Sequence, residues 1–402
     1  MAFLIFLLIL AAVALYVMKP EERAPVVRAG REALARARAE AARRWEARGK
    51  PREDAGPREP LPILTLLILT INVLVFLRMF LTVTLADADT LVGWGANFAP
   101  RTTNGEWWRL LTSMFVHGSL LHAAATVVGL FHVSVITERL AGRVSFALVY
   151  VAAGVFGGLV SLAQAPVAAN IGASSAVYGV YGLFAAAAAW TFIHRSPIKV
   201  PRQVLKTMLV AIGAFVLYNA LTDWLVTGAE RTGLAVGFFS GLVLASGAAA
   251  ERPTIRRLAG VGAATLVMTI ALAVPLRGVA DVRPDIARVI AMDQRATEIY
   301  EARVSKFTAG YVQAKALTDI IDRTILPELQ ATWGRLRAIQ GVPKEHQAIV
   351  AAADQFLQLR EKSWRLRSEA LRKGNMRTLQ QADKIEWDAK AALAHLKEIV
   401  PE

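Results

Sequence analysis

The sequence predicts an all-α, polytopic membrane protein, and three observations carry that prediction. Of 402 residues, 55% are hydrophobic and the mean hydropathy is +0.41, too apolar for an ordinary soluble chain. Runs long enough to cross a bilayer, about 20 mainly apolar residues each, recur along most of the chain. The positive charge is concentrated in alternate connections between those runs, as expected when basic loops stay on the inner side. The predicted architecture is a six-helix membrane core with an extra span at each end and a C-terminal helical domain outside the membrane.

Taken in order, the candidate spans are 2–18, 62–83, 110–136, 144–165, 170–193, 205–227, 232–250 and 258–277. Residues 1–18 lack a basic leading segment and a small-x-small cleavage site, so they predict an uncleaved anchor rather than a removed signal. Residues 19–61 form an inner, basic, helix-prone linker ending in Pro51, Pro57 and Pro60. Its stretch from Val27 to Gly49 fits either an amphipathic helix on an anionic leaflet or a solvated linker helix. Residues 62–250 hold the six core spans, broken outside the membrane by a long segment, 84–109, rich in Trp and Arg. Residues 251–278 add one more span. From 279 to 402 the pattern changes to amphipathic helix, with Ile286, Ile290, Thr297 and Tyr300 and then Ile349, Ala352, Phe356, Leu359 and Leu366 at helical spacing. Breaks are predicted at Pro327, at Gly341-Val342-Pro343 and at Gly374-Asn375.

The formal charge of +14 raises nucleic acid as a partner. Its placement in 19–58, Glu138–Arg143, His194–Lys206 and Glu251–Arg257 is already explained by membrane orientation, so no nucleic-acid partner is expected. That orientation puts 19–61 inside and 84–109, the segment before Gly172, 228–231 and the 279–402 domain outside the cell membrane. The absence of cysteine excludes disulfides, thiol catalysis and cysteine-based metal sites. His346 and His395 stand singly, without ligand spacing, and no metal or cofactor is expected.

The chemistry centres on Gly172-Ala173-Ser174-Ser175-Ala176-Val177-Tyr178-Gly179. A hydroxyl inside an apolar helix marks a functional candidate. The same small residues also suit close helix packing, and spacing alone accommodates both. Tyr178 follows Ser174 by one helical turn, on the same face. Upstream, His117 and His122 open a span, with Thr126 one turn after His122. Five residues apart on a helix is about 140°, so the two histidines cannot share a metal ion. Glu230 is read as a solvated charge in an external loop.

The ordered set Gly95-Ala96, Glu106-Trp107-Trp108-Arg109-Leu110, His117 with His122, Thr137-Glu138-Arg139, Gly142, Gly172-Ala173-Ser174 with Tyr178, and Gly237 with Gly241 resembles the rhomboid intramembrane serine proteases. The resemblance covers about 62–250. It implies that Ser174 stands at the nucleophile position, that Tyr178 packs on the base, and that His122 and Thr126 occupy the oxyanion-side positions. It also implies structural roles for Trp108, Arg109, His117, Glu138, Gly237 and Gly241.

Three residues depart from the family pattern: Leu234 stands where the base histidine belongs, Thr126 replaces an oxyanion asparagine, and Ser175 replaces the glycine after the nucleophile. A serine hydroxyl is a weak nucleophile without an adjacent base, and the members of such a unit fail together. An oxyanion donor is worth about 3 kcal/mol, and a threonine hydroxyl replaces part of it. Leucine accepts no proton. The sequence therefore predicts a proteolytically silent member of the family that binds transmembrane clients and affects their folding, assembly or turnover. The alternative is an active endopeptidase using Ser174 with a non-standard base such as His122. The expected partners are transmembrane clients or substrates, the bilayer, and an unidentified partner of the C-terminal domain.

Overall fold

The computed structural model describes residues 61–82, 87–193, 202–222, 228–244 and 253–400, with Ala35 and Ala39 isolated. The predicted first span, 2–18, and the linker helix of 27–49 lie outside the described residues, apart from those two alanines. The chain is all-α: among the described residues the only β-type pairing is one isolated antiparallel bridge, Asn97 with Asn170. Apolar helices long enough to cross a bilayer include Ile63–Thr82, Leu120–Ala141, Arg143–Gln164 and Ile255–Leu276. Their large outward leucines, such as Leu67 and Leu74 on the first, suit contact with lipid chains rather than water.

Two compact units divide the chain. One holds Leu111–Gly158 and Ile171–Val267 together with the chain up to Ala96; the other holds Asn97–Leu110, Leu159–Asn170 and everything from Met268 onward.

In the first unit, the core helices are α1 (Ile63–Thr82), α2 (Leu120–Ala141), α3 (Arg143–Gln164), α4 (Ser174–Ile193), α5 (Arg202–Thr222) and α6 (Gly228–Leu244), followed by α7 (Ile255–Ala273). The start of α1 leaves backbone N–H groups unsatisfied, as every helix start does. Glu138, near the end of α2, supplies the acceptor. Its carboxylate takes hydrogen bonds from Leu64 N (3.1 Å), Thr65 N (2.8 Å) and Thr65 Oγ1 (2.7 Å). This is a helix cap provided by a different helix, and it locks α1 to α2. α2 itself starts behind Ser119, whose hydroxyl accepts from His122 N at 3.1 Å. The expected span 110–136 is therefore corrected: 109–115 makes short turns, Val116 is extended, and the helix begins at Leu120. The Gly118-Ser119 pair is the start signal that overrides the apolar run.

The core of this unit is aromatic and aliphatic, with Leu130, Val133, Phe146, Tyr150, Val177, Tyr178, Tyr181 and Phe215 buried together. Where α4 meets α6 there is almost no side chain at all. A Cβ on Gly237 would overlap the carbonyl of Gly179, and a Cβ on Gly233 would overlap the carbonyl of Ser175. Backbone meets backbone along this seam, as small residues allow in membrane packing. Gly237 and Gly241 lie on it, Gly241 against Leu183 and Ala186.

In the second unit, α8 (Arg283–Thr308), α9 (Ala314–Ile320), α10 (Leu326–Ala338), α11 (Lys344–Lys373) and α12 (Met376–Ile399) pack around one core. The buried stripe of α8 is Ile286, Val289, Met292, Ala296 and Tyr300, one helical face. Pro327 does not break the chain as the sequence predicts. A π-helical turn, Ile321–Ile325, leads straight into α10, and the proline occupies the first turn of α10, where no intrahelical N–H is needed. The other two breaks fall as expected: α10 ends before Gly341-Val342-Pro343, and α11 ends on Gly374 with φ 63°, followed by Asn375 capping α12. At the centre, Arg360 pairs with Asp293 and Glu386 and lies over the Trp364 ring, while Tyr300 meets Trp364 edge-on at 4.9 Å. The loop Asn97–Leu110 belongs to this unit: Asn104 Nδ2 donates to Val279 O (2.9 Å), and the Arg283 guanidinium sits 4.9 Å over the Phe98 ring.

Candidate functional site

Three helices of the first unit run in the same direction and in register. Tyr181 Oη on α4 donates to Gly129 O on α2 at 2.9 Å. About two turns toward the helix starts, the His122 ring lies against Gly172, where a Cβ would come 2.5 Å from Nε2. Gly233 rests on Ser175 and Gly237 on Gly179, so the offset between α4 and α6 is constant. With those contacts as anchors, His122 is level with Ser174, Thr126 with Tyr178, and Glu230 with Gly172. Each of the three helices thus offers a pair one turn apart at the same end: His122 and Thr126, Ser174 and Tyr178, Glu230 and Leu234.

Gly172 is required here twice over. Its φ of 95° is a conformation L residues rarely adopt, and the imidazole of His122 fills the space a side chain would need. Ser174 opens α4 as its first residue and is half-buried. Ser175 turns its side chain to Gly157 of α3, where a Cβ would collide with it. A serine thus fits after Ser174 because a glycine faces it.

His117 is fully buried, its Nδ1 donating to Phe115 O at 3.2 Å, and its ring meets that of His122 at 4.8 Å. The expectation that the two histidines diverge around one helix fails because His117 precedes the helix. Even so, no group of three or more metal-ligating side chains lies close together among the described residues. Tyr218 of α5 stacks on His122 at 6.1 Å, and Phe215 meets Tyr178 and Tyr181 at 5.7 and 6.0 Å. The fifth core helix therefore covers this end of the site with aromatic rings. The sequence reading missed both; an aromatic pair one turn apart (by three) on an apolar helix looks like ordinary core.

Leu234 stands in α6 with 40% of its surface exposed, an alkyl side chain with nothing to donate or accept. Glu230 is the larger surprise. The reading of it as a solvated loop charge is overturned, because it lies in the first turn of α6 and is only 1% exposed. It also lies within Coulombic reach of Tyr178. The helix start is the physical reason: the positive end of a helix dipole stabilises a carboxylate there. Three buried polar atoms nearby carry no protein hydrogen-bond partner: Thr126 Oγ1, Tyr178 Oη and His117 Nε2. Such groups cost free energy unless something else pairs with them.

The sequence profile described as "Rhomboid domain" matches residues 104–247, which contain all of these residues. That stretch of the chain is similar to the rhomboid family. It is similar to the rhomboid protease GluP of Bacillus subtilis (strain 168), 28% identical over 46% of this chain and 34% of that protein. It is also similar to rhomboid-like protease 3 of Toxoplasma gondii, 35% identical over 24% of this chain and 37% of that protein. A third relative is inactive rhomboid protein 1 of Drosophila melanogaster, 32% identical over 28% of this chain and 8% of that protein. The chain spans little more than a third of the length of the first two. The rhomboid match stops at 247, so α7 and the α8–α12 domain lie beyond it.

In the second unit, Arg109 is buried and pairs with Glu106 at 2.6 Å, its guanidinium 4.6 Å from the half-exposed Trp108 ring. These residues brace the loop of their own unit.

Proposed function

We propose that this multi-pass membrane protein is a rhomboid that has lost proteolysis and binds transmembrane segments of client proteins, influencing their folding, assembly or turnover. The observation that carries the reading is Leu234 at the base position. Ser174 has the position of a nucleophile, and His122 and Thr126 the oxyanion side, but no imidazole stands on α6 to take the serine proton. Without a base, a serine hydroxyl near neutral pH reacts slower by several orders of magnitude. The similarity to a relative named as inactive is consistent with this.

The retained features suit binding. The unpaired hydroxyls of Thr126 and Tyr178 can pair with backbone that a weak or broken client helix leaves open, which in a bilayer is costly to leave unsatisfied. We place client entry beside α5, whose Leu209, Leu217 and Leu221 are exposed. The site is assigned to the outer half of a cell membrane, with the α8–α12 domain outside it offering a separate partner surface.

The test uses full-length protein in proteoliposomes and fluorescent transmembrane peptides. A peptide with a Gly-Pro break binds wild type and Ser174→Ala alike, and more tightly than a continuous leucine-rich helix. Equal binding of the two peptides, or none, contradicts the client reading.

A further inference from the structure

We propose that two copies of this chain pair through α12, antiparallel and about a two-fold axis that passes between Ala391 and Ala392. The inference goes beyond the reading above and stands whether or not Ser174 reacts.

The geometry is local to α11 and α12. Ala382, Ala389 and Leu396, a line of residues seven apart, form the buried side of α12. Asp388 and His395 each precede one of these residues by a single position, about 100° round the helix, and both are exposed. With Ala391 and Ala392 between them, they form one wall of a groove of about 450 Å³, and Ala352 and Leu359 of α11 stand on the other. Beside the groove Trp387 is 73% exposed, and Ala394, two turns on and on the same flank, is exposed as well. Tryptophan is enriched where one protein surface meets another.

The order of the groove residues selects the occupant. Asp388, Ala391, Ala392 and His395 are spaced symmetrically about the midpoint between the two alanines. A two-fold interface is self-complementary, so what one copy offers at a position the other must receive at the matching one. Antiparallel pairing about that midpoint sets Asp388 against His395 of the partner subunit, twice over, and Ala391 against Ala392 of the partner subunit. An imidazole donates a hydrogen bond to a carboxylate in its neutral form, and pairs with it as an ion when protonated. Alanines at the crossing let the two helices come close. The same rotation brings each Trp387 within a turn of the partner's Ala394, on the matching flank, where a methyl leaves room for the ring. Parallel pairing would set Asp388 against its own copy, which like charges oppose. A lipid surface would leave that carboxylate buried without a partner.

The chain has no cysteine, so a single introduced one reports the contact. Full-length Ala391→Cys, reconstituted in proteoliposomes and mildly oxidised, is expected to form a disulfide dimer on the order of tenfold faster than Ala331→Cys, at an exposed position of α10. Two copies in one bilayer meet this way only about an axis along the membrane normal, and the liposome assay tests that condition too. In the Ala391→Cys background, His395→Asp sets carboxylate against carboxylate and is expected to slow crosslinking on the order of tenfold. Asp388→Arg alone slows it as well. The two substitutions together restore opposite charges across the axis and return the rate. Seven residues apart on one helix, about 10 Å, the two side chains cannot rescue each other within a chain. Thermal unfolding confirms that each variant is folded. Crosslinking of Ala391→Cys no faster than that of Ala331→Cys, or a charge swap that fails to recover the rate, overturns the proposal. So does crosslinking of Ala391→Cys in cell membranes to a different protein in place of a second copy.

Discussion

Glu138 caps a helix it does not belong to: its Oε2 lies 2.7 Å from Thr65 Oγ1 and 2.8 Å from Thr65 N. Three donors at the start of α1 converge on one buried carboxylate of α2, with Arg143 Nε 3.7 Å away. Removing it leaves buried donors unpaired, each costing about 1–3 kcal/mol. Glu138→Ala is therefore expected to lower stability by about 3 kcal/mol or more, read as a fall in Tm in detergent. Glu138→Gln, which keeps an acceptor oxygen, falls between.

The α4–α6 seam makes a contrast within one chain. Gly237→Ala forces a methyl into the Gly179 carbonyl and is expected to cost about 1–3 kcal/mol or to spread the helices. Gly213→Ala on α5 meets nothing within 4 Å and should be neutral or stabilising by up to about 1 kcal/mol. Thermal unfolding of the two variants side by side checks the pair. Similar Tm values contradict the seam.

The α8–α12 domain should weaken in acid. Asp354 accepts from Arg337 Nε (2.9 Å) and Trp333 Nε1 (2.7 Å). The Arg337 hydrogen bond, with help from Trp333 and against partial burial, holds its carboxyl below the ordinary 3.8. At Glu386 burial pushes the carboxyl up, but Arg367, the Lys390 hydrogen bond and Arg360 hold it below the ordinary 4.5. Depressed carboxyls contribute stability that is complete above the unfolded values and lost as pH falls through the folded ones. Burial holds His346 below its ordinary 6.5, so the folded state keeps it neutral and begins to lose stability once pH drops under that value. Unfolding followed between about pH 7 and 3 should show a gentle decline first and a steep one below about pH 4.5. A flat profile contradicts these assignments.

Residues Asn97–Leu110 should depend on the domain that follows α7. Ending the chain after Arg277 removes Val279, the acceptor of Asn104, and Arg283, the cation over Phe98. Amide exchange in this loop is expected to quicken on the order of tenfold or more, and less so in Arg283→Ala. Unchanged exchange contradicts a shared fold.

Much of this was legible in the sequence because membrane helices announce themselves by length and apolarity. The resemblance to rhomboids likewise marked Gly237 and Gly241. The misreadings share a cause, which is that tertiary surroundings decide the environment of a polar residue. Glu230 sits beside Arg231 in the sequence and reads as a loop charge; only the start of α6 and its seam with α4 bury it. His117 reads as helical because its run is apolar, yet Ser119 starts the helix after it. Pro327 reads as a break because no sequence rule announces the π turn that accommodates it.

The most direct measurement of the central claim is cleavage of a transmembrane substrate by wild type and Ser174→Ala, side by side in proteoliposomes. The account predicts no cleavage above the Ser174→Ala blank. Cleavage by wild type that disappears in Ser174→Ala would contradict it.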